Sequence, residues 1–145
     1  MTAVTIPQVR QALASAISAN IPSLRSASTV PGAVNPPAAI VRPARGTVIE
    51  YHQSMATTGM DSAITMFMDV TVLVSVAHDR AGQNLLDGFL AESGPLSINA
   101  AIEKDYTLGG LISFAAVERA QGYGVIEWGG QQYLATTLVV MVAAP

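Results

Sequence analysis

The residues that could do chemistry are few. There are two histidines, seven lysines and arginines, ten acids and no cysteine. His78 stands directly before Asp79 at a strand-to-helix junction, and a histidine beside a carboxylate could form half of a general-base pair. The plainer role for such a pair is a capped or solvated loop edge. His52 follows Tyr51 near a strand end and has no acid beside it. Metal sites draw several His, Asp or Glu ligands together at recognisable spacings, and no such spacing occurs here. Without cysteine, disulfides and thiolate sites are excluded. Gly122-Tyr123-Gly124 lacks the third glycine and the helix of a dinucleotide fingerprint, and no Gly-Lys-Ser/Thr phosphate loop is present. No serine lies in a nucleophile elbow; Ser93-Gly94-Pro95 reads as helix punctuation. The acids Asp61, Asp69, Glu118 and Glu127 fall on strand-like segments. They could meet across antiparallel neighbours as a glycosidase-like pair, but solvated strand-face acids are the simpler expectation. The expectation is therefore a chain that is not an enzyme, with no catalytic, metal or cofactor-binding residue and no cofactor.

What positions these groups is one domain of 145 residues, covering 1–145, with no internal repeat. Charged residues make up 12% of the chain and the mean hydropathy is +0.41, a composition poor in polar cover. Some apolar surface is expected to be covered by copies of the chain or by partners. The net charge of −3 argues against a nucleic-acid footprint. The signs are uneven: Arg10, Arg25, Arg42 and Arg45 precede the first acid, Glu50, and all ten acids follow. Opposite faces of differing sign would help to orient a stacked assembly. No signal peptide or membrane-spanning run is expected.

The chain opens on a helix: Thr5 can cap it, Pro7 sits near its first helical position, and Ile6, Val9, Leu13 and Ile17 recur on one face. Residues 22–45 hold most of the prolines and read as a proline-rich loop or arm. Ala38–Val41 inside it suggests a short edge strand bounded by prolines, and Thr47–Tyr51 a further strand. From Met60 to Ala77 the pattern alternates. Ile64, Met66, Met68, Val70, Val72, Val74 and Val76 share one parity, the buried one, and Thr65, Phe67, Asp69, Thr71, Leu73 and Ser75 the other, expected to be exposed or lightly covered. Met55, Met60, Met66 and Met68 look like adaptable filler around this strand. Asp79 can cap a helix carrying Leu85, Leu86, Phe89 and Leu90. A second short helix follows Pro95 and is closed by Leu108-Gly109-Gly110. Leu111–Arg119 reads as a strand, Gln121–Gly124 as a turn, and Val125–Trp128 and Tyr133–Val142 as a hairpin about Gly129-Gly130. Segregated helices and strands imply an α+β fold: a mainly antiparallel sheet with an N-terminal helix and two short central helices packed on one face.

Several runs carry a resemblance. They are Leu86-Asp87-Gly88-Phe89-Leu90, Ser93-Gly94-Pro95-Leu96-Ser97-Ile98, Leu108-Gly109-Gly110, Tyr123-Gly124, and Gly129-Gly130 with Tyr133-Leu134. With the upstream segment Pro31-Gly32-Ala33-Val34-Asn35-Pro36-Pro37-Ala38, they resemble, in order and spacing, the tail terminators of long-tailed (siphovirus) actinobacteriophages. The resemblance covers most of the chain. It implies a virion structural protein, made in the host cytoplasm, that forms a homohexameric ring at the head-proximal end of the tail tube. The ring ends tube polymerisation and joins the tail to the head. Its implied partners are copies of itself, the tail tube protein and the head-side connector or stopper protein, with no sequence recognition of nucleic acid and no membrane. A stopper, an adaptor, a tube subunit, or a small hydrolase using His78–Asp79 or strand carboxylates are the alternatives. The interface residues expected are Pro31, Val34, Pro36, Pro37, Arg42 and Arg45 in the arm, and Glu127, Trp128 and Tyr133 in the hairpin. Trp128, Tyr133 and Tyr123 could equally be a cross-strand cluster that stabilises the hairpin.

Overall fold

The computed structural model describes residues 4–27, 35–52, 63–75 and 79–144. The first helix, α1 (Ile6–Asn20), starts where its sequence dictates. Thr5 and Gln8 form a reciprocal capping box and Pro7 lies in the first turn, where a missing N–H costs nothing. Val9, Leu13, Ala14, Ala16 and Ile17 are buried.

Among the described residues six strands form one sheet: β1 (Arg25–Ala27), β2 (Ala38–Pro43), β3 (Ile49–His52), β4 (Ala63–Ser75), β5 (Phe114–Trp128) and β6 (Gln131–Ala144). The order is β1-β2-β4-β6-β5, and β3 pairs with β4 beyond the end of β2. Only the β1–β2 pair is parallel. Between β4 and β5 lie α2 (Asp79–Leu90) and α3 (Ile98–Lys104). The fold is α+β, as the segregated elements predict.

The three helices cover one face of the sheet. Leu13 and Ile17 from α1, Leu86 and Phe89 from α2, and Ile98 and Ile102 from α3 join a single core with Met66, Met68, Val70, Val72 and Val74 of β4 and Val140 and Val142 of β6. The even parity of β4 is thus the helix-facing side, as its alternation predicts. Gly82 lets α2 approach closely: a Cβ there would stand 2.8 Å from the Ser75 carbonyl oxygen. Ser97 caps α3 by accepting from the Ala100 N–H, and three successive residues with positive φ, Leu108, Gly109 and Gly110, turn the chain toward β5.

Four expectations are corrected. Residues 22–45 are not one loop: β1 and β2 lie within them. Ala38–Val41 is not an edge strand, because β2 is hydrogen-bonded between β1 and β4 and these four residues are buried. Pro43 ends the strand rather than confining it to the margin. Gln121–Gly124 is not a turn. β5 runs through it and absorbs the extra residues as register shifts at Val117/Arg119 and Gln121/Gly124, the behaviour of β-bulges. The odd parity of β4 is not an open face either: Asp69, Thr71 and Leu73 are each at most 3% exposed. The Gly129-Gly130 hairpin turn is where the sequence places it, both glycines having positive φ. His78 falls outside the described residues, as do Pro31, Val34, Met55, Met60, Asp61 and Val76, whereas His52 ends β3.

Candidate functional site

The far face of the sheet, opposite the helices, carries the features least expected from the sequence. Its own small core consists of Ile40, Leu73, Tyr133 and Ala135, with Ile126 and Trp128 packed against them. Trp128 belongs to the outermost strand and Ile40 to β2, with β6 and β4 between them. Arg42 is level with Asp69 and Val139, whereas Trp128 pairs with Gln131. On a flat sheet those levels would be about 27 Å apart along β6. The Arg42 guanidinium carbon is nonetheless 5.4 Å from the centroid of the Trp128 ring. The contact exists because the bulged β5–β6 hairpin curls back across the far face, burying Tyr133 beneath it. Tyr123, on the bulge itself, donates a hydrogen bond from its hydroxyl to Asp87 of α2 at 2.9 Å. Desolvation, then that hydrogen bond and the Asp87 charge, raise its pKa.

Arg42 is held by this stacking and by a long hydrogen bond to Thr71 Oγ1 at 3.5 Å, and its Nε is buried without a partner. Asp69, its cross-strand neighbour, is 3% exposed. The hydrogen bond Asp69 receives among the described residues is from the Arg45 backbone N–H to Oδ2, at 3.4 Å. Asp69 lies in the lining of an open hollow of about 230 Å³ together with Arg45, Glu50, Glu118, Arg119 and Val139. Glu118 and Arg119 pair with each other and are exposed.

The sequence candidates are therefore divided rather than gathered. Arg42 and Trp128 meet each other. Arg45 lines the hollow. Glu127 is exposed at the hairpin end, away from the hollow. Tyr133 is 6% exposed, so it cannot serve as an exposed anchor; Tyr133 and Trp128 instead stabilise the curled hairpin, and Tyr123 points elsewhere. Pro36 and Pro37, joined by a cis peptide bond, line a smaller hollow with Val74 and Leu85. Of the strand acids, Asp69 and Glu118 share a hollow, with Glu50, which sequence reasoning did not single out; the solvated role expected for Asp69 is wrong. The two charge-biased parts of the chain also interleave here, Arg45 standing among three acids. Among the described residues no group of three His, Asp or Glu side chains could hold a metal ion, and no helix is long and apolar enough to cross a membrane.

No family model and no curated protein matches this chain.

Proposed function

We propose that this protein is a non-catalytic structural subunit that associates with copies of itself, of the kind its motifs resemble: a tail terminator forming a ring, most simply a hexamer, at the head-proximal end of a phage tail tube. The ring would end tube growth and offer a second surface to the head-side connector.

The observation that carries this reading is the outer edge of β5. It spans fifteen residues and, among the described residues, pairs on one side only, with β6. Phe114, Tyr123 and Val125 on this strand are 41%, 48% and 59% exposed. A long edge with large apolar side chains is a template for another chain. The bulges break its ladder into shorter runs, and the Ala115 N–H already donates to the Tyr106 carbonyl at 2.7 Å. Among the described residues the stretch 117–128 is therefore the part with no neighbouring strand on its outer side, the part that leads into the curled hairpin. Tyr51 and Tyr106, 68% and 55% exposed, add apolar surface that a chain so poor in charge would cover in an assembly.

Electron microscopy of the full chain mixed with terminator-free tails tests the proposal. Rings seated on the head-proximal tube end are expected. A species that stays monomeric at high concentration and leaves tube ends bare would overturn it; the same protein seated elsewhere in the particle would reassign it to a stopper, adaptor or tube role. Val125→Arg, which puts a charge on the exposed strand without touching the core, is expected to reduce ring formation at least about tenfold while leaving the thermal midpoint within a few degrees.

A further inference from the structure

We propose that the hollow over Asp69 is a receptor for a cationic guanidinium or ammonium group, with Asp69 as the carboxylate that grips it. A buried carboxylate is stable only when its acceptor positions are filled. Asp69 is 3% exposed, yet among the described residues it receives one long hydrogen bond, from the Arg45 backbone to Oδ2. The cation expected to neutralise it is Arg42, directly across the β2–β4 ladder. That guanidinium is turned to Trp128 and Thr71 instead, and among the described residues no salt bridge reaches Asp69; the ion pair formed is Glu118–Arg119. The curled hairpin thus removes the internal counter-ion and leaves an acid short of donors at the wall of an open hollow.

The rest of the lining favours the same sign. Asp69, Glu50 and Glu118 face Arg45 and Arg119, three carboxylates against two guanidiniums, leaving one negative charge in excess. Glu118 and Arg119 neutralise each other at the rim. A planar guanidinium or a compact ammonium could enter and donate to Asp69 Oδ1, which accepts no hydrogen bond among the described residues, a charge-assisted bond stronger than a neutral one. The cation could be a free small molecule or a basic side chain of a second copy of this chain. The inference does not depend on the ring reading.

The probe is methylguanidinium, titrated into the full chain while the backbone amides around Arg45 and Asp69 are followed by NMR. Saturable shifts confined to the hollow are expected, and Asp69→Asn should weaken binding at least about tenfold. Absence of saturable shifts, equal binding by Asp69→Asn, or tighter binding of sulfate at the same amides would each overturn the proposal. Should Asp69→Asn fail to fold, the surface double variant Glu50→Gln/Glu118→Gln reverses the excess charge of the hollow; unchanged methylguanidinium binding there would also overturn it. Sedimentation velocity separates the sources. If methylguanidinium disperses an oligomer that Asp69→Asn cannot form, the natural occupant is a basic side chain of a second copy. If binding occurs with the oligomeric state unchanged, the occupant is a free cation. Rings on tails without methylguanidinium binding would sink this inference alone, and binding without rings would sink only the terminator reading.

Discussion

At the scale of single residues, the protein is most sensitive where backbone and side chain approach without slack. Gly82 is the sharpest case. Its missing Cβ would stand 2.8 Å from the Ser75 carbonyl oxygen, so Gly82→Ala must push α2 off the end of β4. Overpacking of this kind costs about 1–3 kcal/mol, against the small gain in helix propensity, and urea denaturation should show a net loss. Trp128 is the second. Trp128→Ala removes the cover of Ile40 and Leu73 and the partner of Arg42, so a loss of about 2–4 kcal/mol is expected for a half-buried tryptophan. Arg42 would then be free to turn to Asp69, which predicts weaker methylguanidinium binding in the same variant. An unchanged affinity would show that Arg42 is not being held away by the ring. Tyr123 reports on a smaller contact. Its pKa is raised, with desolvation the first cause and the Asp87 hydrogen bond and charge following. Folding therefore favours the protonated phenol: this stabilisation is complete below the ordinary tyrosine pKa and is lost as pH rises through the higher folded value. Asp87→Asn should move the titration, followed by ultraviolet absorbance, back toward the ordinary range.

At the scale of elements, the decisive pieces are β2 and the β5–β6 hairpin. β2 looks dispensable in the sequence because prolines flank it. In the fold it lies between β1 and β4 and contributes Ala39 and Val41 to the helix-side core and Ile40 to the far-side one. Deleting residues 31–43 should therefore abolish cooperative unfolding rather than leave a folded but assembly-defective subunit. A sharp thermal transition in that deletion would show that the strand is not needed. The hairpin depends on its turn and its bulges. Gly129 and Gly130 both have positive φ, a conformation that costs side-chain-bearing residues about 1–2 kcal/mol each. Gly129→Val/Gly130→Val should loosen the hairpin end and, with it, the Arg42–Trp128 stack. Quenching of the Trp128 fluorescence by added iodide, weak in the parent, should become strong.

At the scale of the whole molecule, the fold has one well-covered face and a long open margin along β5. Helices close the first face, the curled hairpin closes much of the second, and the free edge of β5 stays open beside them. Association along that edge is a heterologous contact if it meets a different surface of the next copy, and such contacts close into rings when the rotation per subunit divides a full turn. The low charge content fits burial of this margin in an assembly. It also predicts that the isolated chain precipitates near its isoelectric point, about 5.1 from the sequence, more readily than at pH 8, a trend that light scattering can follow.

Local rules were enough for what depends on neighbours in the chain. Thr5 and Pro7 start α1, the period of two from Ile64 to Val74 marks a strand with one helix-facing side, and Gly129-Gly130 turns the hairpin, because caps, alternation and positive φ are decided within a few residues. The α+β class followed from the order of those elements. Tertiary structure alone decided the rest. Ala38–Val41 became an interior strand because β1, only three residues long, returned to cover its edge, and no local pattern announces a parallel partner so short. The long β5 swallowed an expected turn because β6 continued to pair across the bulges. Arg42 was drawn to Trp128 and away from Asp69 by a hairpin whose tip lies far away along the ladder. Which side of a strand meets water is local; which distant group comes back to cover it, and so which charge is left without its partner, is a property of the folded chain.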